Sequence, residues 1–251
     1  MSDRGLLKLI VTAGPAELAE AAASLVRARL DAKPDFVMAV PAGRTPRPMY
    51  ARLRELQERA PVDYSRMRVF CVDELCPPAP PDGYFWRQIT GEFLAWAGIP
   101  GEHCHPFRVD AADLHAMCRA YEAAIGEAGG LDLVMLGLGP NAHLASNEPG
   151  TPFDSATRPV PLLAETVRYI LTDDVIQGPV SPRAVTLGLA TIMAAREVVV
   201  LVSGEGKRAP LRRLLGGRSE PEIPASILRE HPRCTILADR DACPDRAASP
   251  D

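Results

Sequence analysis

Short apolar runs alternate with amphipathic stretches along most of this chain, and the alternation limits the folds that it can adopt. The runs are rich in Val, Ile and Leu and predict buried strands at 6–11, 36–40, 67–72, 131–136, 197–202 and 235–237. The amphipathic stretches predict helices at 16–32, 47–56, 84–96, 111–128, 183–194 and 207–215. The pattern indicates an α/β fold with an open, mostly parallel sheet and helices on both faces.

Length and charge narrow the class of protein further. With 251 residues, 47% of them hydrophobic, we expect a single α/β domain over 1–243 and a flexible tail at 244–251. The net charge of -4 argues against a nucleic-acid partner. The first residues show no signal-peptide pattern or long apolar span, so we expect a cytoplasmic protein that does not bind a membrane.

Six scattered cysteines contain no C-x-x-C pair, which favours reduced thiols over a disulfide framework or a zinc site. The run His103-Cys104-His105 resembles a metal-binding pattern, but no second pair of ligands accompanies it. We therefore expect no bound metal ion.

Ligands of open parallel sheets bind where the carboxyl ends of strands lead into loops. After the strand at 36–40, the run 41–46 supplies Gly43 for close backbone approach, Thr45 as a possible N-cap and Pro46 at a helix start. Backbone N–H groups at a helix N-terminus can hold a phosphate. An ordinary capped turn explains the same residues, and both interpretations stay open.

Adjacent carboxylates follow the next strand. Asp73 and Glu74 come directly after the run 67–72, where one of them could act as a general base. The alternative is a solvated acidic turn before Pro77-Pro78.

A histidine with a nearby carboxylate follows the strand at 131–136. The run 137–142 has the G-x-G-x-x-A spacing of a dinucleotide fingerprint, but Pro149 and Gly150 would break the helix that this motif must open. We therefore do not expect a nicotinamide cofactor. A carboxylate such as Glu148 can orient the imidazole of His143 and raise its basicity, which favours a catalytic role over a structural one.

Two cations are candidates for neutralising an anion. Lys207 follows the strand at 197–202 but lacks the spacing of a Walker A loop. With Arg168 as a second cation it could bind a sugar phosphate, although either side chain could instead be a plain surface charge.

Taken together, these segments resemble the glucosamine-6-phosphate deaminase/6-phosphogluconolactonase family, and its deaminase branch more closely. The segments that carry the resemblance are 40–46 (VPAGRTP), 72–74 (VDE), 136–150 (LGLGPNAHLASNEPG) and 190–197 (ATIMAARE). The Asn147-Glu148 pair discriminates best, because the lactonase branch typically lacks it. The resemblance implies a modified Rossmann-like sheet and an enzyme that converts glucosamine 6-phosphate to fructose 6-phosphate and ammonia without a cofactor.

The resemblance also implies roles for individual residues. Asp73 would move a proton between C1 and C2 of the sugar, His143 would assist ring opening, and Glu148 would hold or relay protons to His143. Asn141 belongs to the same catalytic set, in a position where many deaminases have Asp. The substrate-binding residues implied or suggested for the phosphate and its surroundings are Gly43, Arg44, Thr45, Glu74, Arg168 and Lys207.

Several residues depart from the family pattern around the substrate. Beside Asn141, these are Arg44 for a usual Gly or Ser, Leu75 for Tyr, Ala142 for Gly and Ser146 for Phe. They keep two alternatives open: a lactonase-like hydrolase in which His143 activates water, and a catalytically weak sugar-phosphate sensor. The sequence is compatible with a monomer and with a homo-oligomer.

Overall fold

A seven-stranded parallel sheet forms the centre of the computed structural model, which describes residues 7–174 and 176–243. The predicted tail at 244–251 lies outside these residues. The strands of the sheet are β1 (Lys8–Thr12), β2 (Val37–Val40), β3 (Arg68–Cys71), β5 (Cys104–His105), β6 (Leu133–Gly137), β9 (Val198–Val202) and β10 (Cys234–Asp239). They lie in the order β1-β10-β9-β6-β2-β3-β5, and all neighbouring strands are parallel. The predicted fold class is confirmed.

Helices connect the strands. They are α1 (Pro15–Ala32), α2 (Arg47–Arg59), α3 (Tyr84–Ile89), α4 (Ala95–Ala97), α5 (Leu114–Glu127), α6 (Ala164–Ile170), α7 (Leu189–Met193) and α8 (Arg208–Leu215). A π-helical turn (Thr90–Leu94) joins α3 to α4, and 3-10 turns occur at Gly101–His103, Glu205–Lys207 and Pro224–Glu230. No helix among the described residues is long and apolar enough to cross a membrane.

The direction of the crossovers distributes the helices over the sheet. From β1 through β2 and β3 to β5 the chain moves toward one edge, and from β6 through β9 to β10 it moves back toward the other. Right-handed crossovers then place α1 and α2 on one face and α5 and α8 on the opposite face. The two directions diverge between the neighbouring strands β2 and β6, where the fold predicts a ligand crevice.

The core lies on both sides of the central strands. All five residues of β9 are buried, as a strand covered on both faces requires. In α1 the buried positions recur with helical spacing at Leu18, Ala22, Val26 and Leu30, and this face packs toward α2 and the sheet.

A second, antiparallel sheet was not predicted. It has the order β4-β8-β7, with β4 (Asp73–Leu75), β7 (Arg158–Pro161) and β8 (Arg183–Thr186). The helix predicted over 183–194 is therefore wrong in its first half, because residues 183–186 pair with strands on both sides. Gly188 also lies against the backbone of Ser155 and Ala156, where a side chain would clash, and the helix begins only at Leu189.

Candidate active site

A cavity of about 150 Å³ opens at the crevice between β2 and β6. Its wall combines the segment after β2, the start of β4, the segment after β6 and helix α6. Six of the predicted site residues line it: Gly43, Arg44, Thr45, Asp73, His143 and Lys207. The chain thus brings strand ends that are far apart in sequence to one place.

Asp73 presents a largely buried carboxylate to this cavity, with 9% of the residue exposed. The hydroxyl of Ser146 donates a hydrogen bond of 2.7 Å to its Oδ2. Burial raises the pKa of Asp73 to about 6, although the Ser146 hydrogen bond and the charge of His143 act in the opposite direction. A carboxyl group with this pKa is ionised near neutral pH and is still a better base than an exposed aspartate.

Glu74, predicted to bind substrate, does not line the cavity. It is fully buried, and its carboxylate accepts hydrogen bonds from the backbone N–H groups of Leu75, Tyr84, Phe85 and Trp86. Burial raises the pKa of Glu74 to about 7, and the backbone donors oppose that rise. The geometry gives Glu74 the role of an anchor between β4 and the first turn of α3.

His143 is held by two neighbours. The Oδ1 of Asn141 lies 2.8 Å from the imidazole Nδ1, and the Oε2 of Glu148 lies 3.6 Å from the same nitrogen. The amide nitrogen of Asn141 donates to Glu148 at 3.0 Å and to Glu165 at 2.9 Å, so its oxygen must face the histidine. Nδ1 therefore carries the proton of a neutral imidazole, and Nε2 is left as an acceptor.

Glu148 is the anionic member of this group. Burial would raise its pKa, but interactions with His143, Thr166 and Asn141 outweigh burial and lower the pKa of Glu148 to about 2. Its Oε1 also accepts a hydrogen bond from the backbone N–H of Leu163. Glu148 thus stays ionised and fixes the position of the imidazole without lining the cavity itself.

Arg44 and Lys207 meet at Tyr169, a residue that the sequence analysis did not single out. The Nζ of Lys207 donates to the Tyr169 hydroxyl at 3.0 Å and to the carbonyl of Leu138 at 2.6 Å. The guanidinium carbon of Arg44 lies 4.8 Å from the centre of the Tyr169 ring. Although burial raises it, the pKa of Tyr169 is lowered overall by Lys207 and Arg44. All three side chains also line a neighbouring cavity of about 270 Å³.

The segment after β2 differs in part from the predicted phosphate cradle. Gly43 has a φ of +105°, which explains the glycine, but its N–H donates to the side chain of Gln88 and is not free. Pro46, and not Thr45, is the N-cap of α2. Arg168 lies exposed on α6 and lines neither of these two cavities.

The metal-like run at 103–105 has separate partners. The Nδ1 of His103 lies 3.0 Å from the carbonyl of Ser65, whereas the ring of His105 stacks on Phe70 at 4.1 Å. Among residues 7–174 and 176–243, no three His, Cys, Asp or Glu side chains form a group that could hold a metal ion.

Comparison with known proteins identifies the family. The sequence profile described as "Glucosamine-6-phosphate isomerases/6-phosphogluconolactonase" matches residues 13–237. The chain belongs to this family. It is 33% identical over 238 residues to the glucosamine-6-phosphate deaminase of Thermoanaerobacter pseudethanolicus, covering 94% of each chain. It is 36% identical over 231 residues to glucosamine-6-phosphate deaminase 1 of Giardia intestinalis, covering 90% of this chain and 84% of that one.

Solved structures of the family agree with the fold. A monomeric glucosamine-6-phosphate deaminase superposes with a TM-score of 0.86 at 30% identity, covering 94% of this chain and 98% of the other. The 6-phosphogluconolactonase of Trypanosoma brucei superposes with a TM-score of 0.74 at 24% identity, covering 94% and 97%, and at that identity it shows the common fold alone.

Among the cavity residues of this family member that had no role assigned from sequence are Ser146 and Tyr169. Ser146 was noted only as a departure from a usual Phe, and its contact with Asp73 depends on folding two distant segments together. Tyr169 follows the predicted Arg168 directly, and the helical turn of α6 decides which of the two faces the cavity. No signal in the local sequence separates these neighbours.

Proposed function

We propose that this chain isomerises and deaminates glucosamine 6-phosphate, giving fructose 6-phosphate and ammonia. The observation that carries the proposal is the single cavity shared by the Asp73 carboxylate, the His143 imidazole and the cations Arg44 and Lys207. The similarity to proteins named glucosamine-6-phosphate deaminase supports it.

The two cations select a substrate with an anionic end. A phosphate dianion that enters beside Lys207, which is half-buried, and Arg44, which is exposed, gains hydrogen bonds from an ammonium and a guanidinium. Tyr169 aligns both groups before substrate arrives, so less side-chain freedom is lost on binding. Arg168 has no part in this proposal.

Asp73 carries the proton transfer. Once the ring is open, the C1 aldehyde makes the C2 hydrogen acidic, and the carboxylate removes it while the carbonyl oxygen gains a proton. Return of the proton to C1 converts the resulting enolamine to a C2 imine. Water then adds to C2 and ammonia leaves, which gives the ketose phosphate. The isomerisation needs only proton transfers, and one well-placed carboxylate can serve both carbons. In the final stage a C–O bond forms at C2 and the C–N bond breaks, and protonation of the nitrogen lets it leave as ammonia.

His143 serves ring opening. With Nδ1 protonated toward Asn141 and Glu148, its Nε2 can accept the proton of the C1 hydroxyl and return one to the ring oxygen. The ionised Glu148 stabilises the imidazolium that forms between these two transfers.

The test measures ammonia and fructose 6-phosphate formed from a panel of 6-phosphorylated amino sugars, beside hydrolysis of 6-phosphogluconolactone. Wild type is compared with Asp73→Asn and with Asp110→Asn, a control at an exposed carboxylate outside the cavity. We expect wild type and the control to release ammonia from glucosamine 6-phosphate and Asp73→Asn to lose at least 100-fold in rate. Lactone turnover that is indifferent to Asp73 would replace the proposal with a hydrolase, and binding without turnover would replace it with a sensor.

The proposal extends to the setting of the enzyme. We propose a cytoplasmic protein that acts on a small sugar phosphate without a nucleic-acid or membrane partner. All six cysteines are unpaired in the structure, which suits a reducing compartment. The related deaminase described as monomeric favours a monomer over a homo-oligomer, and light scattering distinguishes the two.

A further inference from the structure

Among the described charged groups, the carboxylate of Asp73 is the one to which the hydroxyl of Ser146 donates a hydrogen bond. Its hydroxyl donates to Asp73 Oδ2 at 2.7 Å, and only 4% of the residue is exposed. Because one carboxylate oxygen is taken, the other is left for substrate. Buried hydrogen bonds to a charged acceptor are among the stronger ones in proteins.

The backbone of Ser146 is fixed from the strand opposite Asp73. The N–H of Ser146 donates to the hydroxyl of Thr186 at 3.1 Å, and Thr186 is the residue that pairs with Asp73 between β8 and β4. The preceding Ala145 has a φ of +49°, a left-handed conformation that is rare for alanine. The surrounding structure therefore holds Ser146 against Asp73 at some cost in backbone strain.

We propose that Ser146 is a positioning residue for the general base, holding one oxygen of the Asp73 carboxylate so that the other faces the sugar carbons. This inference rests on the proposed function, because it assigns Asp73 the proton transfer. It predicts that the hydroxyl of Ser146 sets both the rotamer and the proton affinity of Asp73.

Several other groups surround Asp73 and remain unchanged in the test. His143 faces it from the segment after β6, Glu74 follows it on β4, and the Cys71 thiol donates to its backbone carbonyl at 2.9 Å. Burial raises the pKa of Cys71 well above its usual range, so that thiol is neutral at working pH. The cations of the cavity contact Tyr169 instead.

The experiment compares wild type with Ser146→Ala and Ser146→Cys, the latter keeping a weak donor in a similar volume. The rate of ammonia release, as kcat/KM, is measured from pH 5 to 9. Loss of a donor to the ionised carboxylate raises its pKa, so the acidic limb of the Ser146→Ala profile should move up by about one pH unit. The acidic limb of the Ser146→Cys profile should lie between those of wild type and Ser146→Ala. The control Ser155→Ala removes a hydroxyl from the same segment outside the cavity and should leave the profile unchanged.

A second measurement does not depend on turnover. The titration of the Asp73 carboxyl carbon is followed by NMR in wild type and Ser146→Ala, with Asp73→Asn to assign the signal and thermal melting to verify folding. A raised pKa in Ser146→Ala supports the inference even if wild type releases no ammonia, an outcome that would defeat the proposed function alone. Superimposable titrations and superimposable rate profiles, in folded protein, would overturn the role of Ser146.

Discussion

Substitution of Gly139 is the most direct way to displace the His143 side chain, because the two residues are in contact. A methyl group built on Gly139 overlaps the Cδ2, Nε2 and Cε1 atoms of the imidazole. The backbone of Gly139 is not in the left-handed region, so alanine is compatible with its conformation. The substitution Gly139→Ala therefore acts mainly through the displaced ring.

The size of the effect follows from the displacement. To regain ordinary van der Waals contact the ring must move by about 1 Å, which disrupts the 2.8 Å contact between Nδ1 and Asn141. A misplacement of about 1 Å can cost about 100-fold in rate, or ~2.7 kcal/mol in transition-state stabilisation. We expect kcat/KM for ammonia release to fall by that factor.

The assay is steady-state ammonia release from glucosamine 6-phosphate, with the melting temperature measured in parallel. Gly101→Ala is the control, since a methyl group there meets no atom within 4 Å and the residue lies outside the cavity. A folded Gly139→Ala variant with wild-type kcat/KM would refute the placement of His143 at the reacting sugar.

Three further results are expected. Asp73→Asn should be more stable than wild type at pH 8. Folding raises the pKa of Asp73 to about 6, so the stability that the protonated carboxyl contributes is fully present below the pKa of the unfolded chain and is lost as the pH rises through 6. This loss amounts to up to about 3 kcal/mol in the free energy of unfolding, and chemical denaturation of both proteins at pH 4.5 and 8 measures it. Lys207→Met should raise KM at least 10-fold with a smaller change in kcat, and should weaken competitive inhibition by inorganic phosphate. Asn141→Asp keeps an acceptor for the imidazole but removes the donor shared by Glu148 and Glu165, so the melting temperature should fall while more activity survives than in Asn141→Ala.

The central strands of the parallel sheet could be predicted because they are buried on both faces and therefore apolar, as in β6 and β9. The short edge strand β5 was not predicted, because its two residues, Cys104 and His105, form no apolar run. The antiparallel sheet could not. Strand β4 begins with Asp73 and Glu74, and β7 contains two prolines, so neither has the composition of a typical strand. Both are held by backbone pairing with β8, which local sequence does not reveal.

In the candidate site, too, some residues could be placed from the sequence and others could not. Asp73 and His143 could be placed because strand ends in a parallel sheet meet at one edge. The hydrogen bonding of Glu74 could not be predicted, because it depends on α3 presenting three backbone N–H groups to a buried carboxylate. Arg168 and Tyr169 illustrate the limit most directly. They are adjacent on a short helix, yet Tyr169 lines the cavity whereas Arg168, the residue that its charge made a candidate, is exposed outside it.

The departures from the family pattern bear on whether the site is functional or has drifted. Polar side chains that had drifted without constraint would be expected to lack polar or aromatic partners at the site, and the loss is costly where the group is buried, as Ser146 is. Instead, Asn141 pairs with His143 and with two carboxylates, Ser146 pairs with Asp73, and Arg44 stacks on Tyr169 beside Lys207. Asn141, Ser146 and Arg44 thus each contact a residue that lines the cavity. This mutual pairing favours an adapted catalytic site over a sugar-phosphate sensor that has lost its chemistry.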